Sequence, residues 1–163
     1  AIALTPHPRA HALYADKRNL TLLCDPAFVR QCGVSEVVIN VLQQAVPQTE
    51  IVTALNRERL WSRRRELFFK PATGYGSRAA YRGDKLTKRV WEEIALSPYI
   101  AQDIVAPSQR HLGPSSGQAL KVDVRVYAYA GEVKLVAARM YQGQTTNMRT
   151  PGGGFAAVLT RAS

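Results

Sequence analysis

Two cysteines, Cys24 and Cys32, are all the chain contains. They form no C-x-x-C pair, so neither a disulfide framework nor a dithiol redox motif is available. Joined with His7 and His11 they match no common zinc-ligand spacing, and both are read as core residues. No run of about 18 apolar residues occurs, which excludes a spanning helix. The N-terminal stretch lacks the apolar centre of a signal peptide, which leaves the cytoplasm as the default compartment. Internal repeats, low-complexity tracts, zinc-finger spacing, an RNA-binding aromatic signature and a heptad-linked basic region are all missing. The opening, AIALTPHPRA, has no initiating methionine, as expected of a processed chain or a piece of a longer one.

Acidic residues are also scarce. Twelve Asp and Glu stand against 22 Lys and Arg, a net charge of +10, and such an excess calls for an anionic partner: nucleic acid, nucleotide or acidic membrane. The densest basic run, NRERLWSRRR at residues 56–65, reads as a helix with arginines on several faces, solvated as charge runs usually are. A length of 163 residues suits one domain or two small lobes.

What is present centres on LFFKPATGYGSRAAYRGDK, residues 67–85. Leu67, Phe68 and Phe69 read as a short buried strand closed by Pro71, with Lys70 at its end. Gly74 and Gly76 allow positive φ and close approach to a ligand, so that main-chain N–H groups can face phosphate oxygens. Arg78, Arg82 and Lys85 surround them with positive charge. GYGSRA fits the dinucleotide pattern G-x-G-x-x-A, but Gly83 and Asp84 interrupt where that motif needs a long helix, and no window supplies a Walker A loop. The remaining readings are a glycine loop between strands at residues 67–70 and 78–81, folding over a nucleotide, or an ordinary hairpin turn with exposed arginines.

Elsewhere, residues 16–31 read as helix from an N-cap at Asp16, with a second turn starting at Asp25 and Pro26. Residues 34–46 give an amphipathic helix stopped by Pro47, residues 50–55 a strand, and residues 84–95 a helix. Residues 99–105 alternate as a strand, and 106–118 is polar and proline-rich, an exposed loop. Strands at 120–130 and 133–140 form a long antiparallel pair, 142–154 is irregular, and 155–159 is a closing strand. Period 2 puts Asp123 and Arg125 on one face, where Arg139 can join them. That face reads as an anion floor or as a cross-strand ion pair.

Taken in order, the DK-helix, LFFKP, glycine loop, YIAQ, D-x-R and T-N-x-x-x-x-GGG segments resemble the circularly permuted ATP-grasp proteins related to glutathionylspermidine synthetase, over nearly the whole chain. The resemblance implies an α+β, ATP-grasp-like fold: two small α+β lobes whose antiparallel sheets enclose a nucleotide cleft. Residues 1–65 would form an N-terminal helical and strand segment, 66–105 the glycine-loop lobe and hinge, and 106–163 a C-terminal antiparallel lobe. It implies an ATP-dependent carboxylate-amine ligase acting through an acyl phosphate, with ATP and Mg2+ as cofactors. Lys17 and Lys70 would hold ATP phosphates, and Gly74, Tyr75, Gly76 and Ser77 would cover them. Gln102 and Asp103 match the hinge, where adenine meets the backbone of Ile104 and Val105. Arg125, Arg139 and Asn147 would be the catalytic residues, Arg125 with Asp123 on the D-x-R strand, Arg139 steadying the acyl phosphate, and Asn147 with Gly152–Gly154 in the substrate-side loop. The family's acidic metal triad would lie upstream of the DK helix, yet residues 1–8 contain no acidic residue, so metal ligands are unassigned. The chain alone is then expected to bind nucleotide without turnover, as part of a longer enzyme or as a degenerate binder. A noncatalytic basic module for nucleic acid or a protein partner is the rival reading.

Overall fold

Proline and capping residues divide the first third of the chain into short helices. The computed structural model describes residues 2, 4, 6–76, 78–111, 119–143, 146 and 148–159. Helix α1 (Pro8–Tyr14) starts on a proline with His7 Nδ1 accepting the Arg9 N–H, and α2 (Asn19–Leu23) follows. Helix α3 (Pro26–Gln31) is capped by Asp25, whose carboxylate accepts the N–H groups of Ala27 and Phe28. Helix α4 (Glu36–Ala45) stops ahead of Pro47. The Asp16 carboxylate does accept the Arg18 N–H as an N-cap would, but the backbone bonds that follow close three-residue turns, Asn19 to Asp16 and Leu20 to Lys17, so α2 begins at Asn19. The cysteines depart from the reading as core residues: Cys24 is half-buried and Cys32 exposed.

The first sheet contains β1 (Thr49–Ile51), β2 (Leu67–Pro71), β3 (Tyr81–Arg82) and β4 (Tyr99–Asp103), in the order β1-β4-β2-β3 with every pair antiparallel. Helices α5 (Arg57–Ser62) and α6 (Lys88–Ala95) close its apolar face. Alternation along the strands assigns Leu67, Phe69, Tyr99 and Ala101 to that face, where they meet Leu60, Trp91 and Ile94. Phe69 lies edge-on to Trp91 at 5.2 Å between ring centroids, and full burial of each such side chain is worth about 1.5–3 kcal/mol. The opposite face carries Thr49, Phe68, Lys70, Arg82 and Gln102, a set fixed by the pairings Thr49 with Gln102, Phe68 with Gln102 and Phe68 with Arg82.

The strand expected at residues 78–81 is shorter and later, because residues 78–79 turn first, with Ala79 at φ 52°. Residues 84–95 do not form one helix either. A 3-10 turn, Gly83–Lys85, precedes α6, which starts at the Thr87 cap. Gly83 is buried so tightly that a Cβ there would sit 1.8 Å from the Arg64 carbonyl oxygen, so this glycine serves packing.

A second sheet holds β5 (Ser108–His111), β6 (Ala119–Tyr129), β7 (Glu132–Tyr141) and β8 (Gly154–Ala157), antiparallel in sequence order. Part of the loop expected at 106–118 is therefore strand: β5 is exposed throughout and pairs with the start of β6, and its polar sequence is that of an edge. Residues 112–118 lie outside the described residues. The chain divides into two compact units, residues 1–105 and 106–163. Residue 65 lies inside the first, since β1 and β2 share a sheet. Among the described residues all helices belong to the first unit, and the molecule is α+β with two antiparallel four-stranded sheets. No helix among them is long and apolar enough to cross a membrane.

Ala130 and Gly131, at φ 50° and 80°, make the two-residue turn between β6 and β7. Both central positions need positive φ, which asparagine tolerates better than alanine. Ala130→Asn should stabilise the protein by about 0.5–1 kcal/mol in urea unfolding. Gly83→Ala should instead cost about 3 kcal/mol or more.

Candidate functional site

Lys70 is carried by β2 onto the sheet face away from the core, and Pro71 and Ala72 lead from it into the glycine loop. Ala72 is clamped on both sides: its N–H donates to the Pro98 carbonyl and its carbonyl accepts the Lys17 N–H, each at 2.8 Å. That second bond docks the DK segment against the loop's first residue. From there Lys17 Nζ donates to the Gly74 carbonyl at 2.9 Å. Lys17 thus braces the loop that follows β2, the strand that carries Lys70. Neither lysine has a carboxylate partner among the described residues. Burial lowers the Lys70 pKa below the ordinary lysine value, and the positive charge of Lys17 lowers it further. Lys70 Nζ donates to Gln102 Oε1 at 2.6 Å and lies 5.5 Å from the centroid of the Phe68 ring.

Gly74 and Gly76 both adopt positive φ, 98° and 70°. No atom lies within 4 Å of where their Cβ atoms would be, so the loop backbone is open on that side. Tyr75 is 83% exposed. Ser77 lies outside the described residues. The loop is pinned at two places, by Lys17 at Gly74 and by the Tyr99 hydroxyl, which donates to the Ala79 carbonyl at 2.9 Å. Arg78 and Lys85 are exposed, and Arg82 lies 3.4 Å from Asp84.

At the hinge, the buried Gln102 side chain faces Lys70 and Thr49. The Asp103 N–H donates to the Gln48 carbonyl and the Ile104 N–H to the Glu66 carbonyl, both at 2.9 Å. The Ile104 N–H is thereby taken within the fold. Val105 is exposed, with no hydrogen bond among the described residues.

The arginine-rich run is largely matched by its own neighbours. Arg57 pairs with Glu92 at 2.7 Å, Arg59 with Glu50, and Arg63 with Glu66 at 3.1 Å. Arg64 stacks on Trp61 at 4.1 Å. The Glu50 carboxyl is held below its usual pKa by the Arg59 hydrogen bond. These ion pairs tie α5 and the turn after it to a sheet edge and to α6.

In the second unit the cross-strand pair is what the geometry realises. Arg139 donates from Nε and Nη2 to the two Asp123 carboxylate oxygens at 2.6 and 2.9 Å, and Thr146 Oγ1 adds a third donor at 3.2 Å. This pairing raises the Arg139 pKa and occupies one edge of its guanidinium. Arg125, opposite Ala137, is exposed. Asn147 lies outside the described residues. Gly153 is required by packing, since a Cβ there would sit 2.6 Å from Thr150 Oγ1. No group of three or more His, Cys, Asp or Glu is placed to hold a metal among the described residues.

Sequence reasoning missed Thr49 and Tyr99 as parts of the site. Their roles depend on the register of β4 against β1 and on the path of the loop, and neither leaves a local pattern.

Lys17→Met should raise the Lys70 titration midpoint toward the ordinary lysine value, read from the Cε resonance of labelled lysine by NMR. An unmoved midpoint would show that the two ammonium groups do not share a field. No protein-family model, curated protein or solved structure matches the chain.

Proposed function

We propose that the first unit binds the phosphates of ATP, and that the chain is the ATP-binding module of a carboxylate-amine ligase working through an acyl phosphate. The observation that carries the proposal is that Lys17 reaches the Gly74 carbonyl of an open glycine loop, while Lys70, half-buried on the strand that leads into that loop, feels the charge of Lys17 and has no salt-bridged carboxylate among the described residues. A polyanion relieves the repulsion between the two ammonium groups and replaces the solvation that Lys70 has lost. The loop backbone at residues 74–76 supplies N–H groups at close range.

The ATP-grasp architecture and the ligase chemistry enter through the sequence resemblance. In that reading Arg125, Arg139 and Asn147 are the catalytic residues, with Asp123 as the orienting partner of Arg139. The described residues offer no ligand set for Mg2+, and the reading assigns it none in this chain. Internal pairing of the arginines in and around α5 weighs against the rival reading of a basic nucleic-acid module.

ATP or ADP at about 100 times its dissociation constant should stabilise the protein by about 2.7 kcal/mol. Lys70→Ala should abolish that shift and Arg65→Ala, at an exposed position, should leave it. Equal loss in both variants would mean diffuse electrostatics. The pH dependence has two opposite signs. Lys70 titrates lower in the folded protein than in the unfolded chain. Between those two values the unfolded chain binds more protons, so the Lys70 contribution makes ligand-free stability rise with pH. Nucleotide affinity should fall over the same window, because the site loses its charge. Affinity that stays flat through the Lys70 titration would contradict its assignment.

A further inference from the structure

Behind Lys70 runs a short chain of hydrogen bonds whose polarity is fixed from end to end. Thr49, 4% exposed, donates its hydroxyl hydrogen to the Pro47 carbonyl at 2.8 Å. A hydroxyl has one hydrogen, so at its other contact, 2.9 Å from Gln102 Nε2, it must accept. The Gln102 amide is thereby oriented with its NH2 toward Thr49 and its oxygen toward Lys70 Nζ at 2.6 Å. Gln102 is itself only 8% exposed. Register enforces the line: Thr49 and Gln102 are direct cross-strand partners, and Lys70 sits diagonally from Gln102 on the same face.

We infer that Thr49 and Gln102 are positioning residues, a relay that aims the Lys70 ammonium at the incoming phosphate while leaving its charge unneutralised. The inference rests on the proposed phosphate site and adds to it how the site is held ready. A neutral amide suits this task better than a carboxylate would. An acidic residue at position 102 would orient Lys70 equally well but would cancel the charge that the ligand needs. An apolar one would leave a half-buried ammonium without an acceptor. The other charged groups around Lys70 are Lys17 and, on β3 of the same sheet face, Arg82 beside Asp84. Neither offers Lys70 an acceptor, so its orientation falls to Gln102.

The test uses the full chain with two readouts: the Lys70 titration midpoint by NMR without ligand, and calorimetric binding of sodium tripolyphosphate and of ADP. Gln102→Leu should lower the midpoint, and Gln102→Glu, nearly isosteric, should raise it. Both should weaken tripolyphosphate binding by about tenfold. Thr49→Val should move midpoint and affinity in the same direction as Gln102→Leu, by less, and Thr49→Ser should behave as wild type. A residue that merely supported the fold would not move the midpoint in opposite directions in two variants that both bind worse. Wild-type affinity and an unmoved midpoint in both Gln102 variants, with Lys70→Ala inactive in binding, would overturn the relay and leave the phosphate site standing. Failure of the wild-type chain to bind either probe would overturn the phosphate site and, with it, the role assigned to the relay.

Discussion

The proposed site turns on an ammonium held half-buried without a salt-bridged carboxylate among the described residues. Lys70 loses part of its hydration to β2 and β4 and feels a second lysine nearby, yet its direct compensation is an amide oxygen and the face of a phenyl ring. Burying charge on those terms is unfavourable, and folded chains usually avoid it by pairing the charge or discarding it. Ion pairs hold Arg57, Arg59 and Arg63 of the basic run, and Arg18, Arg30, Arg82, Arg89 and Arg139 elsewhere. In the proposed reading an anion at Lys17 and Lys70 would supply the compensation that Lys70 lacks.

Period-2 alternation sets the arrangement. One face of the first sheet gives Leu67, Phe69, Tyr99 and Ala101 to a core closed by α5 and α6. The other carries Lys70, Gln102 and Thr49. The Lys70 face is not purely polar: Ile100, the direct cross-strand partner of Lys70, is fully buried on it beside Thr49 and Gln102. Tyr99 links core and loop: its ring belongs to the core, while its hydroxyl, whose pKa burial raises, pins the glycine loop at Ala79.

Much of this was legible in residue types and much was not. Apolar runs bounded by proline located β2 and α4, and the positive φ expected of Gly74 and Gly76 is observed. The long β6–β7 pair followed from alternation, and one reading of Asp123 with Arg139 was an ion pair. What escaped depended on tertiary register. Ser108–His111 looks like loop because an exposed edge strand has no apolar face to betray it. Gly83 looked like a helix interruption when it is a packing contact against Arg64. The Ile104 N–H is taken by the Glu66 carbonyl, a pairing that no local pattern announces. Thr49 became part of the site only through its place opposite Gln102.

The central claim is that Lys17 and Lys70 await the same polyphosphate. A crystal structure of the chain with a non-hydrolysable ATP analogue tests it most directly. The account predicts phosphate oxygens within hydrogen-bonding distance of both Nζ atoms, under the backbone of residues 74–76. An analogue bound elsewhere at saturating concentration, with Lys70 still bonded to Gln102 alone, would contradict it.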